Sequence, residues 1–206
     1  MLSATAIKVN PKYIENPFSI TEFLEFIDDI LNENSPLNDV YKATNRLRAV
    51  ELAKGILERN MNFKLIDSLV QLLKKPKTIK LVLIAEPWSI DTANILRVLE
   101  SIEMAGLGKI QLMIFLRENN TDITQKILND TNTPIPRLLV LDRKNEIKWI
   151  WGPRTENAEN FLQDLKSKGT DKMEQFKLMQ EWYVKDHAQS FQEEFESHLH
   201  EIFSGL

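Results

Sequence analysis

The period of the apolar positions changes twice along the chain, and the changes separate helical flanks from an α/β centre. From Ser19 the spacing is helical: Phe23, Phe26, Ile27 and Ile30 fall at i, i+3, i+4 and i+7, on one face of a helix that runs to about Asn32. Ser19-Ile20-Thr21-Glu22 opens it as a capping box, in which hydroxyl and carboxylate each satisfy a free backbone N–H. After Asn34-Ser35-Pro36, one helix is predicted over about 38–59, with Val40, Ala43, Leu47, Val50, Ala53 and Leu57 on its stripe. Another is predicted over about 62–75, carrying Ile66, Leu69, Val70 and Leu73 and ending before Pro76. Residues 1–18, interrupted by Pro11 and Pro17, are predicted to be irregular.

At Ile79 the helical period gives way to a short, nearly continuous apolar run, Lys80 to Ala85, as a strand buried on both faces requires. Glu86-Pro87 ends it, and Ile95, Val98, Leu99 and Ile102 mark a helix over about 90–105 that stops at Gly106 and Gly108. A second buried strand is predicted from Ile110 to Leu116 and a short helix at about 122–130. Thr133-Pro134-Ile135-Pro136 then leads into a strand from Arg137 to Leu141. The turn sequence Asp142-Arg143-Lys144-Asn145 joins that strand to a hairpin partner from Glu146 to Trp151.

The order β-α-β-α-β-β over 79–151 makes the first two strands parallel and the last two antiparallel. Helical spacing returns over about 156–168 and 171–203, the latter bent or broken near Asp186. The expected organisation is one domain over 19–206, with a core at about 79–165 and flanking helices at about 19–75 and 171–203. Trp149 and Trp151 share one face of the hairpin, where a terminal helix is expected to cover them.

Composition narrows the function. A formal net charge of -4 gives no expectation of nucleic-acid or anionic-membrane binding. The N-terminus lacks a basic start followed by an apolar stretch, and no run approaches the roughly 20 apolar residues that cross a bilayer, so a cytoplasmic location is expected. Nothing specifies an oligomeric state. There are 0 cysteines in 206 residues, which removes disulfides, thiolate metal sites, thiol nucleophiles and dithiol redox chemistry together.

Six short segments, in order, resemble the thioredoxin-like superfamily, and within it a bacterial branch whose loop reads Trp-Cys-x-Asp. Ala85-Glu86-Pro87-Trp88-Ser89-Ile90-Asp91 looks like that loop with serine at the cysteine position. Phe115-Leu116-Arg117-Glu118-Asn119 resembles the next strand end, Pro134-Ile135-Pro136-Arg137-Leu138 the cis-proline segment, and Trp151-Gly152-Pro153-Arg154 the closing turn. Tyr41, Asn45 and Arg48 fit a Tyr-x3-Asn-x2-Arg helix pattern, and Trp182-Tyr183-x-Lys185-Asp186 also looks like the branch. The resemblance implies a thioredoxin-like three-layer α/β/α sandwich, with a mixed four-stranded core sheet and extra N- and C-terminal helices. It also implies a cis Ile135–Pro136 peptide, with the Ile135 backbone offering a pairing edge to an extended peptide or glutathione.

The chemistry of the loop has changed with its atom. In the thioredoxin mechanism a helix N-terminus lowers the pKa of a thiol; a serine hydroxyl there gives no useful alkoxide and forms no mixed disulfide. Ser89 is expected to cap helix 90–105, and Asp91 to lie in its first turn as a carboxylate favoured by the helix dipole, or as the remnant of an acid that served the thiol. No Gly-x-Ser-x-Gly elbow supports a serine hydrolase. His198 shares a helix face with Glu194 and Glu201, a pattern read as a solvated face, and no metal or other cofactor is expected.

The candidate site is therefore a binding groove of Trp88, Ser89, Ile90, Pro134, Ile135 and Pro136, with Trp88 and Pro134 as an apolar platform or with Trp88 simply packed on the surface. Two functions follow. One is a non-redox module that holds a peptide, protein or glutathione; the other is a monothiol thioredoxin-type oxidoreductase in an inactive Cys-to-Ser version at Ser89. A third is a structural protein whose terminal helices carry its contacts.

Overall fold

The computed structural model describes residues 16–59, 63–75, 78–120, 125 and 133–204. Four helices come first among the described residues, α1 (Ile20–Leu31), α2 (Pro36–Ala43), α3 (Leu47–Arg59) and α4 (Asp67–Leu73). The centre follows as β1 (Ile79–Ala85), α5 (Ile90–Ala105), β2 (Ile110–Leu116), β3 (Arg137–Asp142) and β4 (Ile147–Trp151). Then come α6 (Glu156–Ser167), α7 (Lys172–Asp186) and α8 (Gln189–Ser204). The four strands form one mixed sheet in the order β2-β1-β3-β4, a thioredoxin-like α/β arrangement.

The apolar runs at Ile79 and Ile110 form the parallel pair, in register from Ile79↔Ile110 to Ala85↔Leu116, and β3 lies antiparallel on the other side of β1. The hairpin turn closes because the Asp142 carboxylate accepts from the backbone N–H groups of Lys144 and Glu146, at 2.8 and 2.9 Å, while Asn145 takes a φ of 60°. Phe18 adds an isolated antiparallel bridge to Ile114 on the edge strand β2, so the N-terminal segment is not irregular throughout its described part.

One apolar cluster joins a face of the sheet (Leu81, Leu83, Ile114, Leu138, Val140) to α1, α3, α4, α5, α6, α7 and α8. The other face carries Val82, Ile84, Met113, Phe115, Leu139 and Leu141, with Ile135 against them. The helix expected at about 122–130 lies outside the described residues.

One helix expected to be single is divided, and another breaks where a bend or break was expected. The helix predicted over 38–59 stops at Ala43, because Asn45 adopts a left-handed φ of 56°. Arg46 N–H then bonds Tyr41 C=O at 2.9 Å and Asn45 N–H bonds Lys42 C=O at 3.0 Å, the paired closure of a Schellman motif with asparagine in glycine's place. The expected break near Asp186 occurs at His187 and Ala188, whose φ values are 49° and 54°.

The hairpin tryptophans are covered by α8: Trp149 lies 5.8 Å from Phe195 and stacks on His198 at 4.5 Å, and Trp151 lies 4.8 Å from Phe191. The face of His198 is thus not simply solvated. Glu194 is occupied as well, accepting from Trp151 Nε1 at 2.6 Å and from Glu156 N–H at 2.7 Å.

Candidate functional site

β1 ends at Ala85, and the loop Glu86-Pro87-Trp88-Ser89 delivers the chain into α5. Ser89 has extended backbone angles, and its Oγ accepts from Thr92 N–H at 3.1 Å, the N-cap geometry that satisfies one free donor of the first turn. The side chain is 6% exposed. Its oxygen is committed to the helix.

Two residues on, Asp91 does more than face a helix dipole. Its carboxylate accepts from Arg154 Nη2 at 2.9 Å and Nε at 3.3 Å, and from the Tyr183 hydroxyl. Arg154 also pairs with Glu159 at 2.6 Å. Burial opposes the charge of Arg154, but the bonds to Asp91 and Glu159 outweigh it and hold the guanidinium above its usual pKa range. Burial, reinforced by the negative charge of Asp91, pushes the Tyr183 phenol well above its usual value. This cluster ties the first turn of α5 to the β4–α6 turn and to α7, and both Asp91 oxygens are engaged.

A second charged cluster lies beneath Trp88. Arg46, delivered by the Asn45 turn, forms a two-bond ion pair with Glu118 at 2.7 and 2.9 Å. The guanidinium groups of Arg46 and Arg117 lie 5.3 and 5.7 Å from the Trp88 ring centre, within cation–π range. Glu86 is buried and accepts from Glu118 N–H at 2.9 Å. Its carboxyl is raised above the ordinary range, by burial first, and that hydrogen bond offsets part of the shift. Tyr41 is raised to about 12, by burial and then by the charges of Glu86 and Glu118.

The Ile135–Pro136 and Gly152–Pro153 peptides are both cis. Gly152 lies against the cis-proline segment at a φ of 108°, so closely that a Cβ there would sit 2.2 Å from the Pro136 carbonyl oxygen. Only glycine fits that turn, which in turn places Arg154 against Asp91.

Of the residues singled out in the sequence, Trp88, Ser89, Ile90, Asp91 and Ile135 line one groove of about 460 Å³. Pro134 is exposed and Pro136 buried beside Ile135, and neither is part of the lining, so the expected Trp88–Pro134 platform is instead Trp88 with Ile135. Ala49 of α3 and Gln175, Phe176 and Met179 of α7 complete the walls, with Arg154 and Leu162. Sequence reasoning missed these α7 residues and Arg154 as parts of the site. The signal nearest to them was the Trp182-Tyr183 segment and the closing turn that contains Arg154. No histidine is among the residues lining the groove, so no serine–histidine pair forms at Ser89 among the described residues.

A loop that leads from the central strand of a mixed sheet into a buried helix, and lines one groove with the residue before a cis-proline, defines a thioredoxin-fold protein. The family model described as thioredoxin matches residues 38–166, and the chain belongs to that family. Two solved structures share the fold. One is an HIV epitope scaffold, 14% identical with a TM-score of 0.61, the match covering 92% of this chain and 96% of that one. The other is a Pseudomonas aeruginosa protein of unknown function, 16% identical with a TM-score of 0.55, the match covering 97% and 100%. No curated protein matches. Among the described residues no helix is long and apolar enough to cross a membrane.

Proposed function

We propose that this chain is a redox-inactive thioredoxin-fold binding module, which holds an extended peptide, protein segment or glutathione in the groove between the Ser89 loop and Ile135. The observation that carries this is the groove itself: about 460 Å³ of largely apolar wall assembled from Trp88, Ile90 and Ile135, in a chain with 0 cysteines. An alcohol bonded to Thr92 N–H has no route to a mixed disulfide, whereas a backbone edge and an apolar wall need no sulfur. The test is titration of isotope-labelled protein with glutathione and with short unstructured peptides. Amide shifts are expected at 88–91, at Ile135 and at Arg137, and weaker binding is expected in Ile135→Pro, which removes a backbone donor. Shifts confined elsewhere overturn the reading.

The oxidoreductase reading draws on one observation, the N-cap seat of Ser89. A thiolate in that seat would accept the same Thr92 N–H and lie in the positive end of the α5 dipole. Ser89→Cys is then expected to alkylate with a thiol pKa below about 8.5 and to form a mixed disulfide by displacing one thiolate from a disulfide substrate. A thiol that titrates like free cysteine and stays inert excludes this reading.

A further inference from the structure

The groove does not end at the thioredoxin core. A second hollow, of about 590 Å³, lies between α3 and α7 and shares Ala49, Lys172 and Phe176 with the first. Its apolar surface comes from Leu52, Phe176 and Met173, the last 76% exposed although it is an unbranched apolar side chain. Methionine in such a position presents adaptable surface to a partner. The charged side chains lining it are Arg48, Lys172, Lys177 and Glu174; Arg48 is paired with Glu51 at 2.8 Å and Lys177 has Glu174 beside it, which leaves Lys172 as the cation without an acidic partner among the described residues.

Lys172 is the most telling of these. It occupies the first position of α7, where the helix dipole disfavours a cation, and no carboxylate lies within 4.0 Å of it among the described residues. Glu174, the only acid on the rim, stands 4.0 Å from Lys177. An anion bound at the mouth of the hollow would give Lys172 the acidic partner it lacks. Two abutting open hollows also suit an elongated ligand better than a compact one.

We propose that the joined trough along α3 and α7 binds an extended polypeptide segment in which apolar side chains alternate with acidic ones, the apolar ones on Phe176 and Leu52 and the carboxylates at Lys172 and Lys177. This rests on the peptide-binding reading of the Ser89 groove and names the class of partner that the groove takes.

The test uses the full chain and two fluorescein-labelled peptides of about ten residues, one alternating leucine with glutamate and the other leucine with lysine. By fluorescence anisotropy the acidic peptide is expected to bind about tenfold more tightly or better, with an affinity that falls as salt rises. The pair Lys172→Glu and Lys177→Glu, both on exposed positions, is expected to abolish that preference. Amide shifts from the acidic peptide are expected at 45–52 and 172–180 as well as at 88–91 and 135. Shifts at 88–91 and 135 alone, or equal affinity for both peptides, overturn the trough and leave the Ser89 groove standing. Shifts at 45–52 and 172–180 with none at 88–91 or 135 overturn both the joined trough and the groove reading on which it rests. Absence of binding by either peptide overturns the trough, while the Ser89 groove is decided by its own titration with glutathione.

Discussion

Removing the Asp91 carboxylate tests how the site is held together. In Asp91→Ala, Arg154 loses two hydrogen bonds and an ion pair, and the Tyr183 hydroxyl loses its acceptor in a place where Tyr183 is 1% exposed. Breaking a fully buried pair by deleting one partner costs about 3–5 kcal/mol. Here the guanidinium side chain is 21% exposed and keeps Glu159, so the ionic share falls to about 2 kcal/mol. The orphaned hydroxyl adds about 1–2 kcal/mol. The expected loss is about 3 kcal/mol, which at a urea slope near 2–3 kcal/mol/M lowers the unfolding midpoint by about 1 M. Tyr183→Phe alone should cost about 1 kcal/mol, because Asp91 keeps Arg154. The double variant removes the hydroxyl that Asp91→Ala leaves unpaired, and is therefore expected to be no less stable than Asp91→Ala. An Asp91→Ala loss below about 1 kcal/mol, or simple additivity in the double variant, would refute this account of the cluster.

Gly152→Ala is expected to lose about 2–3 kcal/mol or more by urea unfolding, since its φ is 108° and an added Cβ would lie 2.2 Å from the Pro136 carbonyl oxygen; a neutral result would contradict the close approach. Glu86 is held above its ordinary pKa, so the native state binds more protons than the unfolded chain from about pH 4.5 upward to the raised value, and its contribution to stability declines as pH rises through that window. Glu86→Gln is therefore expected to gain on the parent between pH 4 and pH 8, and unfolding curves of both across that range that stay parallel would count against it. Ser89→Ala is expected to cost about 1 kcal/mol through the lost N-cap, with chemical-denaturation stability unchanged if the cap does not contribute.

Much of the local structure could be read directly. Ser19 with Glu22, Ser89 before α5 and Asp142 before Asn145 act on backbone groups within four residues, so their geometry is written in short spacings. The apolar runs at Ile79 and Ile110 likewise announced strands buried on both faces, because no amphipathic period interrupts them. The Asn45 break was not legible: asparagine tolerates the left-handed region but does not demand it. Its consequence is visible only when Arg46 meets Glu118, 72 residues away, and Trp88.

The same division separates loop from site. By itself the sequence determined that the Trp88–Asp91 loop opens a capped helix and that its chemistry lacks sulfur, since both depend on the identity of adjacent residues. Only the tertiary structure decided that Asp91 belongs to Arg154 and Tyr183, 63 and 92 residues further on, and that α7 forms a wall of the groove. Such partnerships are chosen by packing and desolvation across the assembled sheet and helices, and the spacing of residues along one segment does not encode them.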